Sequence, residues 1–390
     1  MLRRLQKDVL SQILPPRDEV LLFCRPSPTQ CEIYKDLTEA LDEDSESYSR
    51  GDADALTTIG SLRKLCSHPR LLERDADAGM DVEDIPLSGK LSVLHELLKH
   101  IRTEAPNDKI VIVSNFTATL SIIEDSLLKP HGLPFLRLDG TIDSKKRDEL
   151  VNTFNKTSSE RSFAFLLSSK AGGCGLNLIG ANRLVMFDPD WNPAADIQAM
   201  ARVYRQGQTK RCIIYRFFTS GTLEEVIYQR QIQKGNLANL TVDGEVTKSN
   251  GKKTGFTPEE IRDCFTLKED CNCDTKVKVG TQWPAFTGAE SLKSQGCVDE
   301  PLIALTSNPT LSFVHIVDQE SERVKLDAEL ANEKGSDGVI DDDSDSSDEE
   351  FEFLKKKNVA PKKAASFLDD DSSESSSEDE AELEIDSDED

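Results

Sequence analysis

The residues best suited to chemistry lie in the segment Asp196–Gln208, which reads DIQAMARVYRQGQ. Its spacing predicts a helix on which Gln198, Arg202 and Arg205 share one polar stripe. A second stripe, suited to packing, holds Ile197, Ala201 and Tyr204. Guanidinium groups are planar and permanently charged, which suits them to the equatorial oxygens of a transferring phosphoryl group. The arginine pair therefore indicates phosphoryl chemistry, and the alternative is a solvated helix face.

The segment before this helix has the pattern of a parallel α/β sheet. An apolar run at Phe163–Leu167 has strand length and is followed by Ser168, Ser169 and Lys170 and then by three glycines, Gly172, Gly173 and Gly175. A second apolar run, Leu184–Phe187, ends at Asp188, and Asn192 and Pro193 suit the start of the next helix. Ligands of such sheets bind at the carboxyl ends of the strands, where hydroxyls and glycine amides can approach phosphate.

These blocks resemble motifs V and VI of the Swi/Snf helicase-like ATPases, which are double-stranded DNA translocases of helicase superfamily two. The matching stretches are SSKAGGCGLNL from Ser168, DPDWNP from Asp188 and DIQAMARVYRQGQ from Asp196. Shorter stretches agree: LCSHP from Leu65, SGKL from Ser88, KIVIVSNF from Lys109 and LDG from Leu138. A later FTPEEIRDCFTL with Asp274-Thr275 resembles the homologous-recombination branch, whose members partner the eukaryotic strand-exchange recombinase. The resemblance covers residues 1 to about 275.

The resemblance implies a RecA-like parallel α/β sheet, the second lobe of a two-lobed motor. It implies that Arg202 and Arg205 act as catalytic arginine fingers on a nucleotide, with Gln198, Gly173 and Gly175 beside it. The residues it places against DNA are Ser168, Ser169, Lys170, Asn115 and Trp191. For Trp191 a packed aromatic is an equal alternative. ATP and magnesium would be held mainly by the first lobe, and no metal ligand is expected in this chain.

Two first-lobe motifs are missing from the sequence. It contains neither the phosphate-loop pattern G-x-x-x-x-G-K-[ST] nor a magnesium-binding Asp-Glu-x-His. Gly89-Lys90 is followed by Leu91 and lacks the upstream glycine. We therefore expect a carboxyl-terminal half-motor that is inactive alone, with Met1 marking a truncation rather than the start of a genuine half-motor.

The motifs and the apolar runs together divide the chain into five expected segments. Residues 1–25 are expected to end lobe one and cross over, 26–88 to form a helical leader with a loop at Asp42–Ala55, and 89–245 to form lobe two. Residues 246–305 would be an accessory segment, and 306–390 would be mostly disordered. A capping box at Thr222–Glu225 should open a long helix at Leu223. The candidate strands are Ile110–Val113, Phe135–Leu138, Phe163–Leu167, Leu184–Phe187 and Ile213–Phe218.

The formal net charge of −25 is unusual for a DNA-binding protein. Most of this negative charge, however, lies in the carboxyl-terminal tail. Residues 335–390 hold 22 of the 72 acidic and 5 of the 47 basic residues and so carry −17 of that charge. A tail of this composition is expected to be disordered. The window 201–240 carries 7 basic and 2 acidic residues, which is compatible with phosphate binding at one face.

The nine cysteines do not form a disulfide-type framework, and the chain shows no targeting or membrane-spanning run. We therefore expect a soluble, intracellular protein, and the family places it in the nucleus. The four carboxyl-terminal cysteines, Cys264, Cys271, Cys273 and Cys297, have poor spacing for zinc, and Asp274-Thr275 is followed by Lys276 rather than the histidine of the family branch.

Two other functions fit the same residues. The chain could be a remodeller from another Swi/Snf branch with a nucleosomal substrate. It could also be a catalytically inactive module that binds DNA or histones through the lobe and the acidic tail. ATPase assay with and without a supplied first lobe would separate these readings.

Overall fold

The apolar runs of the sequence form one seven-stranded sheet in the computed structural model, which describes residues 14–42, 53–72, 82–171, 175–242 and 258–317. The strand order is β3-β4-β2-β5-β6-β1-β7. The first six are mutually parallel, and β7 runs antiparallel to β1. The strands are β1 Arg17–Cys24, β2 Ile110–Ser114, β3 Phe135–Leu138, β4 Ala164–Ser168, β5 Arg183–Met186, β6 Cys212–Thr219 and β7 Leu311–Val317. The expected parallel α/β sheet is confirmed.

Two strands of the sheet come from outside residues 89–245. Val20 on β1 lies between Tyr215 on β6 and Ile316 on β7. All residues from Val20 to Cys24 are buried, which fits an interior strand rather than a crossover. Residues 311–317 form a strand, which the expectation of a mostly disordered 306–390 does not include. The proposed domain boundaries stay a prediction, but the sheet itself extends beyond them on both sides.

Helices cover both faces of the sheet. Along β2, Ile110 and Ile112 enter one hydrophobic cluster while Val111 and Val113 enter the other. This alternation explains why the strands are apolar at every position. The helices are α1 Pro28–Asp42, α2 Ala53–Ser67, α3 Gly89–Glu104, α4 Thr117–Ile123, α5 Ser144–Lys156, α6 Pro193–Met200, α7 Leu223–Val242, α8 Pro258–Phe265, α9 Asp274–Val279, α10 Ala289–Ser294 and α11 Glu300–Leu305, with a π-helical turn at Glu124–Leu128.

The SGKL stretch has a structural role at the start of α3. Ser88 caps the helix, since its hydroxyl accepts from the Leu91 amide at 3.3 Å. A Cβ on Gly89 would lie 1.8 Å from the Arg25 carbonyl oxygen, so only glycine fits there. Lys90 is fully buried and donates to Glu224 at 2.5 Å and to the Phe187 carbonyl at 2.8 Å. This motif therefore joins α3 to α7 and to the end of β5.

The leader and the accessory segment both pack onto the lobe. The Tyr34 hydroxyl of α1 donates to the Cys264 carbonyl of α8 at 2.8 Å. The buried carboxylate of Glu225 accepts from the Thr275 amide at 2.7 Å and from the Gly221 amide at 2.8 Å. Helix α7 begins at Leu223 as expected, but Glu225 reaches back to Gly221 rather than to the capping residue Thr222. The carboxylate thus also holds the accessory segment.

Several expectations fall on residues that the structure does not describe. Residues 43–52 make up most of the expected acidic loop, and they lie outside the described ranges together with the tail 335–390. Of the four cysteines with doubtful zinc spacing, Cys264 packs beside Tyr34, and Cys273 caps α9 by accepting from the Lys276 amide. Among the described helices none is long and apolar enough to cross a membrane.

Candidate functional site

The carboxyl ends of β2, β4 and β5 meet in a polar cluster built around Asp188. Its buried carboxylate accepts from the Ser114 hydroxyl and, at 2.8 Å, from the Asn115 amide. The Asn115 side-chain oxygen accepts in turn from the Ser169 hydroxyl at 2.6 Å. The fold therefore brings Asn115 and Ser169, two of the residues expected to contact DNA, into direct contact at one edge of the sheet.

The other residues of the serine and glycine loop are placed differently. Lys170 is exposed, whereas Ser168 is only 2% exposed, so its hydroxyl does not reach the surface in this arrangement. Gly175 is exposed and has φ +66°, a conformation that favours glycine, although a Cβ there would meet nothing within 4 Å. Gly172 and Gly173 lie outside the described residues. The roles expected for these residues stay predictions.

The expected helix Asp196–Gln208 is wrong in its second half. Asn192 caps α6 by accepting from the Ala194 amide at 3.0 Å, and Pro193 begins it, as predicted. The helix ends at Met200, and turns follow. The Arg202 amide reaches back only to Ala199, and its carbonyl accepts from the Leu178 amide at 2.9 Å. The neighbouring loop thus takes a carbonyl that a longer helix would use, so Arg202 and Arg205 do not share a helical stripe with Gln198.

The expected packing stripe is also wrong. Ile197 is 59% exposed, Ala201 is exposed and Tyr204 is only partly buried. The buried residues of the segment are instead Asp196, Ala199, Met200, Val203 and Gln208. Asp196, Ala199, Met200 and Val203 do follow a helical spacing, but a stripe that begins with a charged residue does not look like a packing face in the sequence. Gln198, exposed on α6, lies beside Ile197 on the outer side of this helix.

Asp196 turns inward because its hydrogen-bonding partners come from segments that are distant in the sequence. Its carboxylate accepts from Arg216 on β6 at 3.0 Å and from Gln231 on α7 at 2.9 Å. It also accepts from the Asp190 amide at 3.2 Å. Burial raises the pKa of this carboxyl to about 6, although Arg216 acts in the opposite direction. This network holds the DPDWNP loop and the start of α6 against the sheet.

Arg205 and Gln208 join the turn after α6 to the glycine-bearing loop. Arg205 Nη1 donates to the carbonyl oxygens of Gly175 at 3.2 Å and Leu176 at 3.0 Å. Gln208 is 6% exposed and donates to the Ala181 carbonyl at 2.7 Å. Its own side-chain oxygen accepts from the Lys210 amide at 3.0 Å. Gly207 allows the bend between them, with φ +101°. The two motifs therefore behave as one hydrogen-bonded unit.

Sequence reasoning assigned no role to Gln208. The signal that could have found it is a polar residue placed directly after a glycine at the end of the motif. Such a residue often closes a loop by bonding to backbone carbonyls.

The basic window expected at 201–240 is not one free surface. Arg211 pairs with Asp18 at 2.5 Å, and Lys210 pairs with Asp108 at 3.2 Å. Arg216 is buried with Asp196 and Glu19. Three of the seven basic residues in the window are therefore paired with carboxylates from other segments, so the window is not one continuous phosphate-binding face.

Trp191 is partly buried and packs against the hydrophobic cluster that holds Tyr34, Leu62 and Leu223. Arg63 on α2 donates to the Pro189 carbonyl at 3.2 Å in the same loop. This arrangement favours the packing interpretation of Trp191 over a contact in a DNA groove.

The cluster of residues around Arg205 fits an anion better than a cation. Guanidinium donors held on neutral carbonyls can move to phosphate oxygens, which make stronger, charge-assisted bonds. Within the described residues, no group of three or more His, Cys, Asp and Glu side chains is placed to hold a metal ion.

Comparison with known protein families agrees with this geometry. Residues 89–207 match the helicase conserved C-terminal domain, and residues 1–71 match the SNF2-related domain. The first match begins at the Gly89 of the SGKL stretch and ends at Gly207, just before Gln208.

Curated proteins similar to this chain include DNA repair proteins. The chain is 42% identical over 290 residues to the DNA repair and recombination protein RAD54 of Saccharomyces cerevisiae, covering 70% of this chain and 31% of that protein. It is 44% identical over 289 residues to the human RAD54-like protein, covering 70% and 38%. The chain thus spans between about a third and a half of the curated relatives it matches.

Among solved structures, the SWI2/SNF2 ATPase core of Sulfolobus solfataricus in complex with double-stranded DNA is similar. It has a TM-score of 0.52 and 30% identity, over 68% of this chain and 54% of that one.

Proposed function

The chain belongs to the Swi/Snf helicase-like ATPases, in their recombination-repair branch, and from this premise we propose that it supplies the second motor lobe of an ATP-dependent double-stranded DNA translocase. The observation that carries the proposal is the joining of the Arg205 turn to the loop after β4. The hydrogen bonds from Arg205 to Gly175 and Leu176 support this, because they join an arginine suited to phosphoryl transfer to the loop that follows Ser168, Ser169 and Lys170.

On the nucleotide side, Arg205 and Arg202 would face ATP held by a first motor lobe, with Gln198 and the glycines Gly173 and Gly175 beside them. ATP and its magnesium supply the phosphoryl chemistry when bound. The residues of this chain stabilise the charge that develops on the transferring group. For this, the Arg205 guanidinium exchanges its two carbonyl acceptors for phosphate oxygens.

On the DNA side, Lys170, Ser169 and Asn115 lie together at the carboxyl edge of the sheet and would contact backbone phosphates. Such contacts do not depend on sequence and weaken as salt rises. Ser168 would contact phosphate only after the loop shifts, since its hydroxyl is buried. Trp191 would act by holding the loop rather than by entering a groove.

The names of the relatives give the biological setting. They are DNA repair and recombination proteins, which supports a nuclear role in recombinational repair. The proposed partners are therefore double-stranded DNA and a strand-exchange recombinase, with chromatin remodelling as the related activity of the wider family.

An ATPase assay with separated lobes tests the proposal. The purified 390-residue chain alone should not hydrolyse ATP, and adding a first lobe from a repair-branch relative should restore turnover that double-stranded DNA stimulates. Arg205→Ala should lower this turnover by about 10³-fold while changing DNA affinity little. Gln206→Ala, an exposed neighbour, is the matched control and should have no effect.

Two results would contradict the proposal. DNA-stimulated turnover by the chain alone would mean that the nucleotide site lies elsewhere. Equal losses of turnover and DNA affinity in Arg205→Ala would make Arg205 a DNA-phosphate contact instead of a catalytic residue.

A further inference from the structure

Two histidines from different elements lie side by side, apart from the residues assigned above. His95 is on α3, and His131 is in the turn that follows the π-helical residues Glu124–Leu128. Their Nε2 atoms are 3.1 Å apart, their ring centroids are 4.6 Å apart, and the ring planes are inclined by 47°. His131 is exposed and His95 is partly exposed, so solvent ions can reach both.

The two Nε2 atoms are within hydrogen-bonding distance, and the ring positions show whether the two rings meet head-on or converge on a point between them. If one imidazole donated head-on to the other, their centroids would lie about 5.4 Å apart at this Nε2 separation. If both Nε2 atoms instead converged on one ion about 2.1 Å from each, the ligand–ion–ligand angle would be about 95° and the centroids about 4.8 Å apart. The observed 4.6 Å is close to the second arrangement.

On His131 the second ring nitrogen has a hydrogen-bond partner that leaves a lone pair on Nε2. His131 Nδ1 lies 2.9 Å from the Leu127 carbonyl oxygen and must donate to it. His95 Nδ1 lies 3.9 Å from a Glu96 carboxylate oxygen. A backbone carbonyl in the position of the Leu127 oxygen is a usual outer partner of a metal-binding histidine, because it fixes the tautomer and orients the ring. The Glu96 carboxylate is too far away for a hydrogen bond but adds negative charge beside His95.

Both histidines are held in place by buried structure. The face of α3 that flanks His95 includes the fully buried residues Leu94 and Leu98. On the other side, Leu127 and Leu128 are buried, and the Leu133 amide donates to the Leu128 carbonyl at 2.9 Å, which closes the turn. Little reorganisation is therefore needed for the two rings to bind an ion together.

We propose that His95 and His131 form a binding site for one divalent transition-metal ion of the nickel and zinc class. Imidazole nitrogen is a ligand that these ions prefer. No third His, Cys, Asp or Glu side chain in the described part of the chain is placed to join the pair, so water completes the coordination. The bound ion links α3 to the turn after the π-helical residues on the outer side of the lobe.

A titration of the full 390-residue chain with Ni²⁺ alone, followed by calorimetry, tests the site. Ni²⁺ is used because the chain has nine cysteines, and thiolates compete more strongly for zinc. We expect one Ni²⁺ per chain. His95→Gln and His131→Gln should each weaken binding by more than about tenfold. His100→Gln, on the same helix and outside the pair, is the matched control and should bind as the unaltered chain does.

A second measurement, by NMR, uses the unaltered chain and so does not require that any variant folds. The chain has five histidines, and paramagnetic Ni²⁺ should broaden the imidazole NMR signals of two of them, His95 and His131, at the lowest ion concentrations. Absence of Ni²⁺ binding, broadening of a different set of histidines, or unchanged binding in both single variants would overturn the proposal. None of these results depends on ATP turnover or DNA binding.

Discussion

Arg205 Nη1 lies 3.0 Å from the carbonyl oxygen of Leu176, so the side chain expected to reach a nucleotide is bonded to the loop that follows the residues expected to reach DNA. The same nitrogen also contacts the Gly175 carbonyl, at 3.2 Å. An arginine that leaves these carbonyls for a phosphate must release both of them. The position of the arginine and the freedom of the loop are therefore linked by direct hydrogen bonds.

Gln208→Met should loosen this link. The substitution keeps the length of the side chain but removes the bonds to the Ala181 carbonyl and from the Lys210 amide, which leaves buried polar groups without partners. We expect a loss of about 2 kcal/mol in the free energy of unfolding. Amide hydrogen exchange at Leu178 and Ala181 should speed up, measured by mass spectrometry.

The matched control for this substitution is Gln206→Met, because Gln206 is exposed in the same turn. Equal exchange rates in the two variants would show that Gln208 does not hold the loop.

Lys90→Met should destabilise the lobe far more than a surface substitution. It removes a buried ammonium and leaves the carboxylate of Glu224 without its charged partner. Breaking a buried pair from one side costs about 3–5 kcal/mol. Chemical denaturation of the single variants and of Lys90→Met/Glu224→Gln should show that the second change recovers part of the loss. Strict additivity of the two single effects would argue against direct coupling.

The Asp196 network predicts a specific dependence on pH. Burial raises the pKa of Asp196 to about 6, above its ordinary value. Between about pH 4 and pH 6 the folded chain keeps a proton that the unfolded chain loses, so this group lowers stability as pH rises through that window. Asp196→Asn removes the titration.

Relative to the unaltered chain, the Asn variant should therefore gain up to about 3 kcal/mol in unfolding free energy between pH 4 and pH 7. Denaturation curves at several pH values would measure this difference. A difference that does not change with pH would mean that Asp196 is ionised throughout.

Deleting residues 335–390 should leave the melting temperature nearly unchanged and tighten non-specific DNA binding. The deleted segment carries a charge of −17, which competes with DNA phosphate for basic groups, and the effect should fade as salt rises. A chain ending in neutral Gly and Ser residues of equal number is the control. A fall in melting temperature, or unchanged DNA affinity at low salt, would contradict the electrostatic argument.

Much of the sheet could be predicted because its strands are local apolar runs. All five runs named from the sequence are strands, and the α3 positions Leu91, Leu94, Leu98 and Ile101 are buried as their spacing indicates. Asn192 caps α6 for the same reason: the cap depends only on neighbouring residues. Local patterns were sufficient wherever the determining contacts are close in sequence.

The predictions that were wrong concern features that depend on contacts between residues distant in the sequence. The end of α6 at Met200 depends on the Leu178 amide, and the inward turn of Asp196 depends on Arg216 and Gln231. The basic window appeared free because its carboxylate partners, such as Asp18, lie far away in the chain. The pairing of β7 with β1 is likewise non-local. No periodicity within a short window contains this information.

The interior position of β1 has a consequence for how the chain acquires its structure. Val20 hydrogen-bonds across to strands that contain Tyr215 and Ile316, both made much later during synthesis. Contacts between residues so distant in sequence close large loops and slow folding. Until β6 emerges from the ribosome, the apolar stretch Val20–Cys24 has no strand beside it. During that interval it exposes a hydrophobic segment of the kind that chaperones bind and that aggregates when left uncovered.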